Sequence, residues 1–365
     1  MGLFFACGSD STTKMDGGQM GEVGKSDVAI DTAGDVPSAA SLAALRARGK
    51  YLVDTVATCG DCHTPQGPSG PDRTKYLAGN PNFVELPTGD KLPSRNLTND
   101  ATGLKNRTDD EIKAMFMNGT RPTATGMEAL NPFMPYYLYH NMTSADADAI
   151  VAYLRTVPGI ANEIPRRTPL FDVPAPAQPI NLNKVPMPMA SYPDMASALR
   201  GKYLATQISA CVECHTKHLP PGSPTVLDEE HLFEGGEDFT ALFMDSLKIK
   251  PVSKNLTSDM LTGLGTWTTA DILQALKQGK AKDGTGICPP MPFGPMAGYG
   301  QLTDQDALDI ANYIHSLPPK ANEIVDMCVF PPMAPIADGG VDGNMPDQAM
   351  ESMDTLSPMD GMSSN

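Results

Sequence analysis

The 365-residue sequence predicts an all-α protein of two tandem helical domains joined by a Pro-rich linker, with disordered N- and C-terminal tails. Three observations carry that expectation. Short motifs recur in the same order in two blocks about 155–160 residues apart. Helix start signals recur with them, and neither block shows a convincing alternating strand pattern. With 33 Gly and 34 Pro the chain is loop-rich, which excludes a coiled coil or collagen, and it holds no apolar run long enough to span a membrane.

Residues 1–38 are Gly-, Ser- and Asp-rich and read as a tether. The first domain, 39–165, opens with Leu42, Leu45, Leu52 and Val56 mostly at helical spacing. Thr108 with Glu111 is a capping-box start for a middle helix, and Thr143 with Asp146 starts a last helix that ends near Pro158. Residues 166–194 carry seven prolines and form the linker. Fully extended it would reach roughly 90 Å, far beyond what adjoining domains need, so it is expected to run back over the surface. The second domain, 195–330, repeats the start signals at Thr268 with Asp271 and at Thr303 with Asp306, ending near Pro318. Residues 331–365 have six acids, no base and several Met. Thioethers bind Cu(I), but with no interleaved His or Cys the tail reads as plain disorder.

The repeat itself is specific. Arg48-Gly49-Lys50-Tyr51-Leu52 returns as Arg200-Gly201-Lys202-Tyr203-Leu204, and Asn96-Leu97-Thr98 as Asn255-Leu256-Thr257. Thr102-Gly103-Leu104 returns as Thr262-Gly263-Leu264, and Ala161-Asn162-Glu163-Ile164 as Ala321-Asn322-Glu323-Ile324. Two copies make a duplicated domain and not a solenoid. The net charge of -16 argues against nucleic acid, whose phosphates need clustered Lys and Arg.

Cysteine carries the chemistry. Cys59-Gly60-Asp61-Cys62-His63 and Cys211-Val212-Glu213-Cys214-His215 each begin eleven residues after the Arg of the repeated Arg-Gly-Lys-Tyr-Leu. Two thiols at this spacing add across the vinyl groups of haem, and the adjacent imidazole becomes the proximal ligand. A zinc site built from both Cys pairs is the weaker reading, because the pairs are far apart and each is followed at once by His. A thioredoxin-like pair is weaker still, since no strand–helix alternation surrounds it. Two covalently attached haem c groups (iron) are therefore expected. Each also supplies the large apolar body that a chain with only 6% aromatics lacks.

An iron open on its far side activates oxygen species, whereas one closed by Met is built for electron transfer. The first repeat offers Met134 within Asn131-Pro132-Phe133-Met134-Pro135; the second offers Met291 and Met296 in the corresponding loop. Met291, like Met134, precedes a Pro that favours extended backbone, which makes it the choice, with Met296 kept as the alternative. His140, His218, His231 and His315 are rival ligands without a matching partner in the other repeat, and a solvated or helix-surface role is expected for them.

Together these motifs, with Thr262-Gly263-Leu264-Gly265-Thr266-Trp267-Thr268 and the Met-Pro loops, resemble class I cytochrome c. The chain is similar to the multihaem cytochrome c subunits of membrane-bound alcohol, sugar and related dehydrogenases, over roughly residues 41–165 and 195–318. The resemblance implies cytochrome c-like haem domains in which Cys59, Cys62, His63 and Met134 bind one haem and Cys211, Cys214, His215 and Met291 the other. It also places Trp267 near a haem propionate, where the first repeat has Arg107. The dehydrogenase subunits usually carry three haems, against two motifs here.

The expected function is that of a dihaem c-type cytochrome moving single electrons between a redox-protein donor and acceptor, among them a dehydrogenase or a terminal oxidase or reductase. An enzyme is the alternative, either a dihaem peroxidase or a thiosulfate-oxidising cytochrome; the Met-Pro loop in both repeats speaks against it, and Cys288 near Met291 keeps the thiolate version open. Covalent haem implies export to the bacterial periplasm or outer envelope. Leu3-Phe4-Phe5-Ala6-Cys7 resembles the end of a truncated lipoprotein signal, which predicts a membrane anchor by lipid on Cys7. Cys288 and Cys328 then remain, and in an oxidising compartment they are expected to pair.

Overall fold

The computed structural model describes residues 39–67, 70–220, 226–240, 251–288, 290–291 and 298–325. Both tails, Cys7, Met296 and Cys328 lie outside the described residues.

Each repeat is organised by one helix crossing. In the first, α1 (Ala39–Tyr51), continued by a wider turn over Leu52–Val56, leads to the short helix α2 (Cys59–His63). Then come α3 (Asp109–Asn118), α4 (Tyr136–Tyr139) and α5 (Ser144–Leu154). In the second, α6 (Met195–Gln207) and α7 (Cys211–Cys214) precede α8 (Thr269–Gln278) and α9 (Asp304–His315). The first helix of each repeat packs on the last, α1 on α5 and α6 on α9. Glycine makes this possible: a Cβ on Gly49 would fall 1.8 Å from the Ala149 carbonyl oxygen, and one on Gly201 1.8 Å from that of Asp309. The glycine of the repeated Arg-Gly-Lys-Tyr-Leu is therefore the point where two backbones touch.

The helix starts follow the sequence, with one difference. Thr108 and Thr268 form reciprocal capping boxes with Glu111 and Asp271. Thr143 and Thr303 accept from the amides of Asp146 and Asp306, but neither carboxylate returns the bond. Both carboxylates are engaged across the boundary between repeats. Tyr203 donates to Asp146 at 2.7 Å, Tyr51 donates to Asp306 at 2.7 Å, and the amides of Thr143 and Thr303 donate to the same two hydroxyls at 3.2 Å. Tyr51 and Tyr203 hold the same place in the repeated motif, so the repeats grip each other reciprocally, as in a two-fold dimer. Arg48 adds to the lock at 2.8 Å from Asp146 and 3.9 Å from Asp306.

The expectation of an all-α fold is corrected to a helix-rich one. Among the described residues three antiparallel ribbons accompany the helices: β1 (Gln66–Gly67) with β2 (Gly70–Pro71), β3 (Asn80–Glu85) with β4 (Lys91–Ser94), and β5 (Thr120–Thr123) with β6 (Gly126–Ala129). They lack an apolar alternation because they are short ribbons and not half-buried sheet, with β3 running buried, intermediate, exposed without period 2. Residues 166–194 have one short 3-10 turn and run over both repeats: Ile180 donates to the Tyr137 carbonyl and Met189 to that of Ser316.

Candidate functional site

The two Cys-x-x-Cys-His segments share one local geometry. The residue before the first Cys, Thr58 or Ala210, is left-handed (φ 45° and 56°) and turns the chain into the short helix. His63 Nδ1 pairs with the Arg95 carbonyl at 2.7 Å, and His215 Nδ1 with the Lys254 carbonyl at 2.8 Å. A carbonyl only accepts, so the proton sits on Nδ1 and leaves the Nε2 lone pair open to a metal. Burial lowers both imidazole pKa values, which favours the neutral form that binds a metal. Burial pushes the Cys59 and Cys62 thiols up to about 12 and raises Cys211 and Cys214, so all four are thiols and not thiolates.

The remaining repeated motifs hold these two carbonyls in place. Asn96, almost fully buried, accepts from the Thr98 amide and donates to the Ile160 carbonyl at 2.8 Å. Asn255 does the same with Thr257 and the Lys320 carbonyl. Asn162 reaches the Ala78 carbonyl, and Asn322 the Glu234 carbonyl. The Asn-Leu-Thr and Ala-Asn-Glu-Ile segments thus clamp the loop that orients each imidazole.

Both motifs open on one cavity of about 1460 Å³. That exceeds the roughly 300–1,000 Å³ of a single small-molecule site, as two macrocycles would need. Cys59, Cys62, His63 and Met134 line it from the first repeat; Cys211, Cys214, His215 and Met291 line it from the second. Trp267 and Arg107 line it at matching positions, as do Tyr139 and its counterpart Tyr299. Of the four rival histidines none lines it: His140 is exposed, His231 pairs with Asp228 at 2.8 Å, and His315 packs edge-on to Tyr192. His218 corrects the expectation of a solvated role, since it is buried beside Glu237.

The cytochrome c family model matches residues 46–158 and 198–318, which are the two repeats. This chain belongs to the cytochrome c family. It is 27% identical over 289 residues to the fructose dehydrogenase cytochrome subunit of Gluconobacter japonicus, covering 75% of this chain and 53% of that one. It is 27% identical to the gluconate 2-dehydrogenase cytochrome c subunit of Pantoea cypripedii (75% and 60%). Against the alcohol dehydrogenase (quinone) cytochrome c subunit of Komagataeibacter europaeus the figure is 30% (76% and 56%). The chain spans a little over half the length of these curated relatives.

A cytochrome c domain implies covalently bound haem c, and the donor set fits it: paired thiols, an imidazole with a free Nε2, and a facing thioether on an apolar cavity. Sequence reasoning missed the cationic side of the cavity. Arg95, Arg121 and Arg167 converge at the cavity edge of the first repeat, with Glu128 held by Arg121 at 2.6 Å and by Arg167 at 3.1 Å. The buried Arg121 Nε has no partner among the described residues. Burial and the neighbouring charges of Arg121 and Arg167 lower the Arg95 pKa to about 10. Such a cluster suits the carboxylate arms of a haem. Residues far apart in sequence build it, so no local spacing marks it. Glu213 lies inside the second motif, where burial pushes its carboxyl up to about 7.

Proposed function

We propose that this cytochrome c is a dihaem electron carrier, with one haem in residues 39–165 and one in 195–330. The observation that carries the reading is the pair of similarly built Cys-x-x-Cys-His segments on one cavity, which Met134 and Met291 also line. Haem c, when bound, supplies a one-electron ferric–ferrous couple. Cys59, Cys62, Cys211 and Cys214 would tether it, His63 and His215 would ligate it through Nε2, and Met134 and Met291 would supply the thioether ligand that keeps competing ligands out.

Local register supports Met291. Leu130 donates to the Gly119 carbonyl and Ile287 to that of Gly279, and those two glycines end α3 and α8 in the same left-handed turn. Counting from these bonds, Met134 and Met291 are both four residues on, and each amide turns back to the residue three before it, at 3.1 and 3.3 Å. Cys288 is disulfide-bonded, which restrains the Met291 loop; its expected partner Cys328 lies outside the described residues.

The relatives are subunits of dehydrogenases, which supports a dehydrogenase as donor; a membrane oxidase or reductase is the matching class of acceptor. Export to the periplasm and a lipid on Cys7 belong to the same reading. Among the described residues no helix is long and apolar enough to cross a membrane. Mass spectrometry after export should show two haems that resist acid–acetone extraction; haem-free protein carrying zinc would overturn the reading. In the ferric protein, Met134→Ala and Met291→Ala should each remove half of the far-red sulfur-to-iron absorption. Full retention in Met291→Ala, with loss in Met296→Ala, would reassign the second distal ligand.

A further inference from the structure

The two halves of the cavity are built alike but charged differently. Several charges match across the repeat: Asp61 with Glu213, Arg95 with Lys254, Glu111 with Asp271 and Glu163 with Glu323. These cancel in any comparison of the two sites. What remains does not. Where the first repeat lines the cavity with Arg107, the second has Trp267; two residues past the glycine that ends the middle helix, Arg121 is answered by Ala281. Arg167 is a further lining cation, buried and shared between Glu128 and Asp172. The balance of the lining is four guanidinium groups, one of them from the start of the linker, against two carboxylates on the side of the first repeat, and one cation against one carboxylate in the second, among the described residues.

The layer behind the lining deepens the contrast. In the first repeat the extra acids Glu128 and Asp172 are each held by two arginines, Asp172 by Arg166 and Arg167. In the second, the position two residues past the glycine amide that binds the His215 carbonyl is Glu237, where the first repeat has Pro81. Glu237 faces the second motif and repels Glu213. Its contacts are the His218 amide at 2.9 Å and the buried His218 imidazole at 3.3 Å, while Lys282 donates to the Thr266 carbonyl and does not line the cavity.

A ferric haem carries one more positive charge than a ferrous one, so fixed cations nearby favour the reduced state and fixed anions the oxidised state. Both haems bring the same carboxylate arms, which leaves the protein to set the difference. We propose, on the reading of this chain as a dihaem carrier, that the first repeat holds its haem at the higher reduction potential. Electrons therefore enter at the second repeat and leave from the first. The internal step moves one electron: the group held by the second repeat is oxidised by one, that held by the first is reduced by one, and no bond or proton changes.

Spectroelectrochemical titration of the haem-loaded full chain tests this. Two midpoint potentials are expected. Arg107→Gln and Arg121→Gln should each lower the higher one and leave the lower one in place, while Glu237→Gln should raise the lower one. Arg121→Lys keeps the charge and should restore the parent potential, which separates charge from altered packing. Two attached haems whose potentials ignore the arginines, or arginine variants that move the lower step, would overturn the ordering alone. Protein recovered without covalent haem would instead overturn the carrier reading beneath it.

Discussion

The reciprocal tyrosines make a sharp test of how the repeats are joined. In Tyr51→Phe the ring remains and only the hydroxyl is lost. That hydroxyl donates to Asp306 at 2.7 Å and accepts from the Thr303 amide at 3.2 Å. A hydrogen bond to a charged group contributes about 1.5–3 kcal/mol. Among the described residues Asp306 keeps Arg48, at 3.9 Å, as its ion-pair partner, with the Arg200 charge farther off. Tyr51→Phe should thus cost near the upper end of that range. Tyr203→Phe removes the equivalent bond to Asp146, but Asp146 stays paired with the Arg48 Nε at 2.8 Å and Nη2 at 3.1 Å. Its cost should fall near the lower end. Because Arg48 touches both carboxylates, the two changes share a partner and their sum should depart from additivity. Urea unfolding of the haem-loaded protein, followed by circular dichroism, measures all three variants. If both single changes fall within about 0.5 kcal/mol of the parent, as ordinary surface substitutions do, the lock does not hold the repeats together. The reverse order, with Tyr203→Phe costing more, would refute the role given to Arg48.

Two further outcomes follow from the geometry. Gly201→Ala places a methyl 1.8 Å from a backbone carbonyl that cannot move without shifting α9; it should destabilise by about 1–3 kcal/mol or more, read as a lowered urea midpoint with reduced helical signal. Burial alone would raise the Glu128 pKa, but the Arg121 hydrogen bond and the charges of Arg121, Arg167 and Arg95 bring it below the ordinary 4.5. A carboxyl depressed in the folded state adds stability above about pH 4.5 and loses it as pH falls through the folded value. Glu128→Gln should therefore lower the melting temperature most near neutral pH, and the gap to the parent should close in acid; a gap that widens in acid would reverse the assignment.

What the sequence by itself determined is whatever local chemistry can write into a short run of residues. Cys59-x-x-Cys62-His63 and Cys211-x-x-Cys214-His215 carry the expectation of covalent haem because thiol spacing and the adjacent imidazole are fixed along the chain. Thr108 and Thr268 announce helices because a cap involves only three or four neighbours. The duplication was legible because both copies kept their short motifs. Tertiary structure decided the rest, because those features arise where distant segments meet. Asp146 and Asp306 read as capping residues, yet their carboxylates serve the opposite repeat, since Tyr203 and Tyr51 arrive from across the boundary. His218 reads as a surface residue and is buried. The ribbons form by backbone pairing, which needs no apolar alternation. Arg95, Arg121 and Arg167 become one cationic wall only after the chain brings a loop, a ribbon and the start of the linker to the same cavity edge. Their counterparts in the second repeat are in part neutral, so a duplication that looks symmetrical in its motifs folds into two sites of unequal charge.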